Sequence, residues 1–528
     1  MFGDNSTLRN PDLRACGLAP SMRILLVYPN MAGMNMLPPA LGLFTSILKS
    51  AGHEVALFDT TNYPDLDNGF DSDKSKAEHL NARPFDDSLL RQHDRHSPAP
   101  QDFAQKVASW KPGLIAISAT EDMYPIALRL LCALPKDRPR VVLGGVFATF
   151  APELALRLSQ GLIDHVLIGE GEDSLPEFCR RLEKGQDPAG TPGLWSLNPK
   201  ISSPLPRPVN TETLPLPDYG LFEESRFLRP MQGKLWRMLP VETIRGCPYT
   251  CAYCNSPAQT EAYRQAGHRF FRMRSADKVR AELRHLAGAY GADSFYFWAD
   301  SFLAYNDRDF AAFCDMYSEF KLPFWIQTRP ETVIEERFRR LKEIGLLRVS
   351  FGIEHGNEAF REKHLARRVS NRTIVERLAI LNRLGIPFST NNILGFPHET
   401  RQLAFDTIEL NRQVLADGYN AYSYTPFHGT PLRAQAEALG FIKPDSLASC
   451  ITKPTILDMP QFSRDAIEGL RRCFVLYVKM PKERWSRIAQ AEKLTPEGDR
   501  AWQELRDECR EKYMGFDLPP AISEVPKK

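Results

Sequence analysis

A chain of 528 residues is long enough for two to four domains, each with a core of its own. Its 67 Lys and Arg against 65 Asp and Glu leave a formal charge of +2, which excludes the global basic field that holds nucleic acid or an anionic membrane. Ten cysteines are far too few for a disulfide scaffold, and no apolar run reaches the ~18 residues of a transmembrane helix or resembles a signal-peptide core. A cytoplasmic location with reduced cysteines is therefore expected.

Residues 1–21 are polar and read as a flexible tail. From 22 to 185 short β-branched runs alternate with helical stretches: strands near 23–28, 53–61, 113–120, 140–146 and 164–172, helices near 39–51, 124–134, 152–160 and 173–184. Strands alternating with helices predict a parallel sheet, here a flavodoxin-like doubly wound domain of five strands. The polar stretch 62–102 reads as an insertion or mobile loop. Over 186–235 the prolines 188, 192, 199, 204, 206, 208, 215 and 217 forbid regular helix and mark an extended linker. The alternation returns over 236–430, with strands near 240–245, 294–299, 323–328, 347–354, 386–394 and 418–424. Six such units predict a partial (β/α)6 barrel. Residues 431–528 read as a helical C-terminal region. Within it, DAIEGLRRCFVLYVKM has the apolar spacing of a core-facing helix and is expected to cap the barrel bottom or the substrate entrance.

The sharpest motif is RGCPYTCAYCN, which sets Cys247, Cys251 and Cys254 in a C-x3-C-x2-C spacing. Three thiolates on one turn converge on a soft metal site. A structural zinc site wants a fourth Cys or His. A 4Fe-4S cluster held by three cysteines leaves one iron open to a substrate or cofactor.

The spacing, with aromatic Tyr253 before the third cysteine, resembles the radical S-adenosylmethionine (radical SAM) superfamily over about 236–430. The resemblance implies a 4Fe-4S cluster on Cys247, Cys251 and Cys254 whose open iron chelates S-adenosylmethionine, and cleavage of that cofactor to a 5′-deoxyadenosyl radical. It also implies S-adenosylmethionine contacts at Tyr253, at Asp300 in the FWADSF segment, at Gln327 and Arg329 on strand three, at Glu354 in FGIEHGN, and at Asn391 and Asn392 before the Gly395–Pro397 turn. Asp300 departs from the family's usual Gly-Gly-Glu.

The segments PNMAGMNMLPPALGLF, GGVFATFAPE and IGEGEDSLPEF resemble the cobalamin-binding domain fused to many radical SAM enzymes. That implies cobalamin at the strand ends, contacted by Asn30, Ser118, Thr120, Gly144, Gly145, Thr149, Gly169, Glu170 and Gly171. The loop after strand one lacks the Asp-x-His-x-x-Gly that supplies an axial histidine. Together the two resemblances imply a cobalamin-dependent radical SAM enzyme, first a methyltransferase at an unactivated carbon working through methylcobalamin. The alternatives are a tetrapyrrole-type ring cyclase or oxidoreductase, and a non-catalytic cobalamin or Fe-S sensor. A small-molecule, lipid, tetrapyrrole or peptide substrate and a reductant such as flavodoxin or ferredoxin are expected with it, and nucleic acid is not.

Three further groups stand near the expected strand ends. His355, His398 and His428 would line one mouth as acid/base groups if they are not plain loop histidines. Tyr422 and Tyr424 face either the cavity or the core. Arg367 and Arg368 meet an anionic substrate or form an exposed helix-start pair, the latter being the default.

Overall fold

The computed structural model describes residues 22–514; the tail expected over 1–21 lies outside them. The first sheet holds β1 (Arg23–Tyr28), β2 (Glu54–Asp59), β3 (Leu114–Ser118), β4 (Arg140–Gly144) and β5 (His165–Leu167), in the order β2-β1-β3-β4-β5 and all parallel. This is the doubly wound order expected. Ile24–Val27 and Leu114–Ile117 are buried on both faces, which is why these strands read as continuous apolar runs.

The Pro-rich segment is not free chain. Its LWS and IS dipeptide stretches form β6 (Leu194–Ser196) and β7 (Ile201–Ser202), which extend the sheet antiparallel to β5. Leu194 is wholly buried there, and the prolines lie outside the paired positions.

The second sheet runs β16-β15-β14-β13-β12-β9-β8. Its members are β8 (Leu228–Met231), β9 (Lys234–Glu242), β12 (Ser294–Trp298), β13 (Phe324–Thr328), β14 (Leu346–Glu354), β15 (Phe388–Leu394) and β16 (Gly418–Ser423). A two-stranded ribbon, β10 (Ile244–Arg245) with β11 (Arg272–Met273), stands beside it. Six strands are parallel and β8 is an antiparallel edge, so the sheet curls into a half-barrel with two open edges, β16 and β8. The helices outside it are set by local signals: Ser275 and Ser370 cap their N-termini, and Gly291 and Gly385 end them in left-handed conformation.

Stretch 62–102 is an insertion with helices and docking contacts of its own. It contains the helix Ser72–Glu78 and the start of the helix Ala99–Trp110, which crosses from β2 to β3 with Phe103 and Val107 buried. Between them the chain crosses the gap between the half-barrel's two edges. Asn81 lies against Gly418 at the start of β16, and Pro84 lies against Gly233 in the β8–β9 turn. Ser72 meets Thr452, Lys453 pairs with Asp67, and Leu80 joins the barrel core. The few apolar residues in a polar stretch dock it, which composition alone hides.

The helix Arg464–Lys479 packs against β16 and the helix Arg401–Arg412, along the lateral edge of the sheet rather than across either end. Arg412 donates to the carbonyls of Tyr477, Val478 and Met480 and so terminates that helix. Among the described residues no helix is long and apolar enough to cross a membrane.

Candidate functional site

The cysteine loop leaves the barrel where β9 ends. Gly246 sits at φ +87°, and a Cβ there would stand 2.9 Å from the Phe270 ring, so only glycine makes the turn. Cys247 and Cys251 are buried, and Cys254 is the residue before the helix Asn255–Gln265, where the helix dipole favours a thiolate. The loop is pinned at its middle: the Ala252 amide donates to Leu365 O at 3.1 Å, and Ala252 O accepts from the Leu432 amide at 3.0 Å. Burial pushes the Cys247 and Cys254 thiols up to about 12. Among the described residues no three of His, Cys, Asp and Glu are gathered as a closed ion site. Three soft donors on one loop, with no fourth His or Cys offered, fit a cluster with one open iron and not a structural zinc.

Around this loop the strand ends bring together most of the expected contacts. Arg329 lies 3.8 Å over the Tyr249 ring, with Nη1 3.7 Å from Cys251 Sγ and Nε donating to Glu331 at 2.6 Å. Its guanidinium thus sits at the cysteine loop. Gln327 Nε2 is 3.5 Å from Ala299 O. Asp300 opens into the cleft with Trp298 and accepts from Ser256; the protein walls around it raise its carboxyl above the ordinary range.

Glu354 ends β14 at φ +69°, beyond a bulge after Gly352. This is left-handed backbone that a glutamate adopts only when its surroundings enforce it. They do: Arg367 donates to Glu354 Oε1 at 3.2 Å and to Gly352 O at 2.9 Å, with Nη1 3.4 Å from the Tyr253 hydroxyl. A Cβ on residue 352 would fall 2.1 Å from Glu354 Oε1. Burial raises the Glu354 carboxyl while Arg367 pulls it back. Arg367 is therefore buried structure, not an exposed pair. Arg368, exposed and paired with Glu362, is the surface residue expected.

The asparagine pair divides. Asn391 faces the lumen and accepts from Asn420 at 2.8 Å. Asn392 is turned to the outer helix layer, bonded with Asn411 and Asn420 O, and is no cofactor contact. The period of two along a strand forces neighbours apart. The Gly395 turn that follows is held by Glu399, which accepts from the Gly395 amide at 2.5 Å and the Phe396 amide at 3.0 Å. His355 Nε2 lies 3.2 Å from the other oxygen of Glu399, and both side chains are wholly buried. His398 is exposed beside His364, and His428 pairs with Glu121 at 2.7 Å, so the three histidines do not share one mouth. Tyr424 is core, packed on Phe396; Tyr422 faces the lumen.

At the C-terminal edge of the first sheet the expected contacts also separate. Ser118, Thr120 and Gly144 remain open, with Thr120 donating to Asp122 at 2.5 Å. Gly145 is at φ +115°, where a Cβ would fall 2.3 Å from Ala119 O. Thr149 bonds Gly145 O and the Gly169 amide, both at 2.9 Å, and so fixes the two glycine loops to each other. Asn30 is spent on Met34 O in its own loop and on Thr61 beyond β2. Gly171 opens a helix against Phe44. Glu170 points away from a ligand at this edge, into a buried ion cluster with the barrel. Arg245 reaches Glu170 at 3.0 Å, Glu172 at 2.7 Å and Glu242 at 2.9 Å, and Arg272 also pairs with Glu170. Burial opposes ionisation of Glu170, yet the Arg272 hydrogen bond and the Arg245 and Arg272 charges hold its carboxyl below the ordinary range. A second clamp joins Glu121 to His428, Arg433 and the Ala448 amide. The open ends of β3 and β4 and the open mouth of the barrel thus face one cleft.

Sequence reasoning missed Glu399, Glu121 and the clamps. An acid two residues after Gly-Phe-Pro was a signal for Glu399, because the turn's amides need an acceptor. Nothing in the sequence announces that Glu121 and Arg245 have partners in the other domain.

A doubly wound sheet clamped over a half-barrel with a three-cysteine loop defines a class, and the comparisons agree with it. The model of the radical SAM superfamily matches residues 241–410, and that of the B12 binding domain matches 82–179. The chain thus carries a radical SAM domain with a B12-binding domain ahead of it. It is 27% identical over 390 residues to an uncharacterized methyltransferase of Pyrococcus horikoshii, covering 72% of this chain and 82% of that one. It is 23% identical over 419 residues to the anaerobic magnesium-protoporphyrin IX monomethyl ester cyclase of Rubrivivax gelatinosus, covering 76% and 72%. The fold matches that of the radical S-adenosylmethionine methyltransferase TsrM from Kitasatospora setae, solved with cobalamin and a [4Fe-4S] cluster, with a TM-score of 0.60 at 16% identity over 93% of this chain and 99% of that one.

Proposed function

We propose that the protein is a cobalamin-dependent radical SAM methyltransferase acting on an unactivated carbon of a small-molecule substrate. The observation that carries this is the common cleft: two buried charge clusters hold the cobalamin-type edge over the mouth that bears the cysteine loop. The relatives named as methyltransferases support methyl transfer as the reaction. The cyclase relative favours a second reading, ring closure without methylation.

Cys247, Cys251 and Cys254 would hold the cluster. Tyr253, Asp300, Gln327, Arg329, Glu354, Asn391 and the Gly395 turn would line S-adenosylmethionine. Ser118, Thr120, Gly144 and Gly145 would line cobalamin. When bound, these groups supply a 5′-deoxyadenosyl radical and a transferable methyl group, with electrons from a reductant such as flavodoxin or ferredoxin. The chain's own work is placement. Arg367 fixes Glu354 in its left-handed conformation, Glu399 fixes the Gly395 amides, and the 62–102 segment closes the lumen against water.

The test is anaerobic reconstitution with iron, sulfide and hydroxocobalamin, followed by turnover with candidate substrates under reduction. Methyl transfer yields 5′-deoxyadenosine, S-adenosylhomocysteine and a product heavier by one CH2. A product of unchanged carbon count with no S-adenosylhomocysteine replaces this reading with the cyclase one.

A further inference from the structure

The floor of the half-barrel carries a cation that the cofactors do not use. Arg229 lies on β8, in register with Trp236 on β9, six residues before Glu242. At ~3.3 Å per residue this puts it ~20 Å below the strand end that leads to the cysteine loop. Its guanidinium rests over the Trp325 ring at 4.6 Å and near the Tyr296 ring at 5.5 Å; these two rings stack at 4.3 Å. Its one polar contact is Met36 Sδ at 3.1 Å, and among the described residues no carboxylate stands within ion-pair distance. Burial draws its pKa below the ordinary arginine value, as expected of a charge without a counter-ion.

A second cation reaches the same place from the segment that crosses the barrel's open side. Lys76 pairs with Asp73 at 3.2 Å, and Asp73 also accepts from Asn35 at 3.2 Å. Asn35 precedes Met36, which Arg229 touches, so Asp73 and Lys76 stand beside Arg229, with Tyr422 in the field of all three. Two cations and one carboxylate leave one positive charge unmatched, beside an aromatic shelf. Arg229 and Lys76 are partly buried rather than sealed, so an anion entering the lumen can reach them and complete the charge.

We propose that Arg229, backed by Lys76, anchors a single anionic group of the substrate, a carboxylate or a phosphate, at the floor of the lumen, with the flat or apolar body of the substrate along Trp325 and Tyr296. This rests on the reading of the lumen as the substrate site. It assigns the substrate an anionic end set well back from the reacting carbon.

The experiment titrates the reconstituted holoenzyme, loaded with S-adenosylmethionine, with benzoate, phenyl phosphate and neutral benzamide, read by saturation-transfer NMR and calorimetry. Binding of benzoate or phenyl phosphate at least tenfold tighter than benzamide, and lost tenfold or more in Arg229→Met but largely kept in Arg229→Lys, is the expected result; whichever anion binds tighter identifies the group. Equal binding of benzoate and benzamide, or anion binding unmoved by Arg229→Met, overturns the proposal. Should Arg229→Met fail to fold, Lys76→Gln takes its place: a weakening of anion binding supports the site and none refutes it. Release of 5′-deoxyadenosine by the wild-type holoenzyme on reduction tests the functional reading separately, since it needs no anion.

Discussion

Replacing Arg245 by Met removes the cation at the centre of the clamp between the two domains. Glu170 keeps Arg272, but Glu172, whose side chain is 6% exposed, has Arg245 as its ion-pair partner at 2.7 Å and is left buried and charged. Breaking a buried pair in this way costs about 3–5 kcal/mol. For a cooperative unit of the first domain's size, at roughly 2–4 °C per kcal/mol, Tm should fall by about 10 °C. The deficit should also depend on pH. Burial already raises the Glu172 carboxyl above the ordinary range, with Arg245 opposing it, and without Arg245 it rises further. A raised folded pKa costs stability above that pKa and ceases to as the group protonates. In the wild type, Glu170 is held low, so its contribution is present above the unfolded pKa and fades as pH falls. The Glu172 effect therefore narrows the gap between variant and wild type toward about pH 5, whereas the Glu170 contribution is lost only at lower pH, below the ordinary carboxylate range. Differential scanning fluorimetry across a pH series, with Arg245→Lys as a charge-keeping control, measures it. A drop under about 2 °C, or a gap of the same size at about pH 7.5 and about pH 5, would refute the argument.

Cys251→Ala should lose the 4Fe-4S absorbance and EPR signal after reconstitution and release no 5′-deoxyadenosine; retention of a full cluster would move the ligand set elsewhere. Gly145→Ala meets Ala119 O at 2.3 Å and a positive φ, so it should cost at least ~2 kcal/mol and lower the cobalt retained after gel filtration. In Glu399→Gln the one remaining oxygen must still hold both the Gly395 and Phe396 amides, as a neutral acceptor, while the new amide nitrogen meets His355 Nε2; this should cost ~1–3 kcal/mol, with weaker S-adenosylmethionine binding by calorimetry, and an unchanged affinity would separate that turn from the cofactor.

The first sheet was legible because its strands are apolar on both faces, the second because its strands alternate with amphipathic helices that carry ordinary caps and stops. The cysteine loop was legible because its chemistry is local, three donors in eight residues. What could not be read was whatever depends on two distant segments meeting. Arg367 looks like a surface residue until β14 and the Tyr253 loop enclose it. Asn392 differs from Asn391 by one step along a strand, and that step turns it out of the lumen. Glu170 sits in a glycine-rich loop that suggests a ligand, but its partner is Arg245 from another domain. Stretch 62–102 has the composition of a loop, and only the gap between β16 and β8 gives it a place to dock.

That docking means the barrel's wall is completed by a stretch of polypeptide made before any of its strands. The piece between β2 and β3 leaves the ribosome early and waits for β8 and β16, its two landing points, which are separated by nearly two hundred residues. A chimera that exchanges the B12-type domain for a relative's would thus replace part of the substrate chamber as well, and with it the Lys76 and Asp73 that look into it. Exchanging that module alone should therefore alter what the enzyme accepts, even where every barrel residue is left as it was.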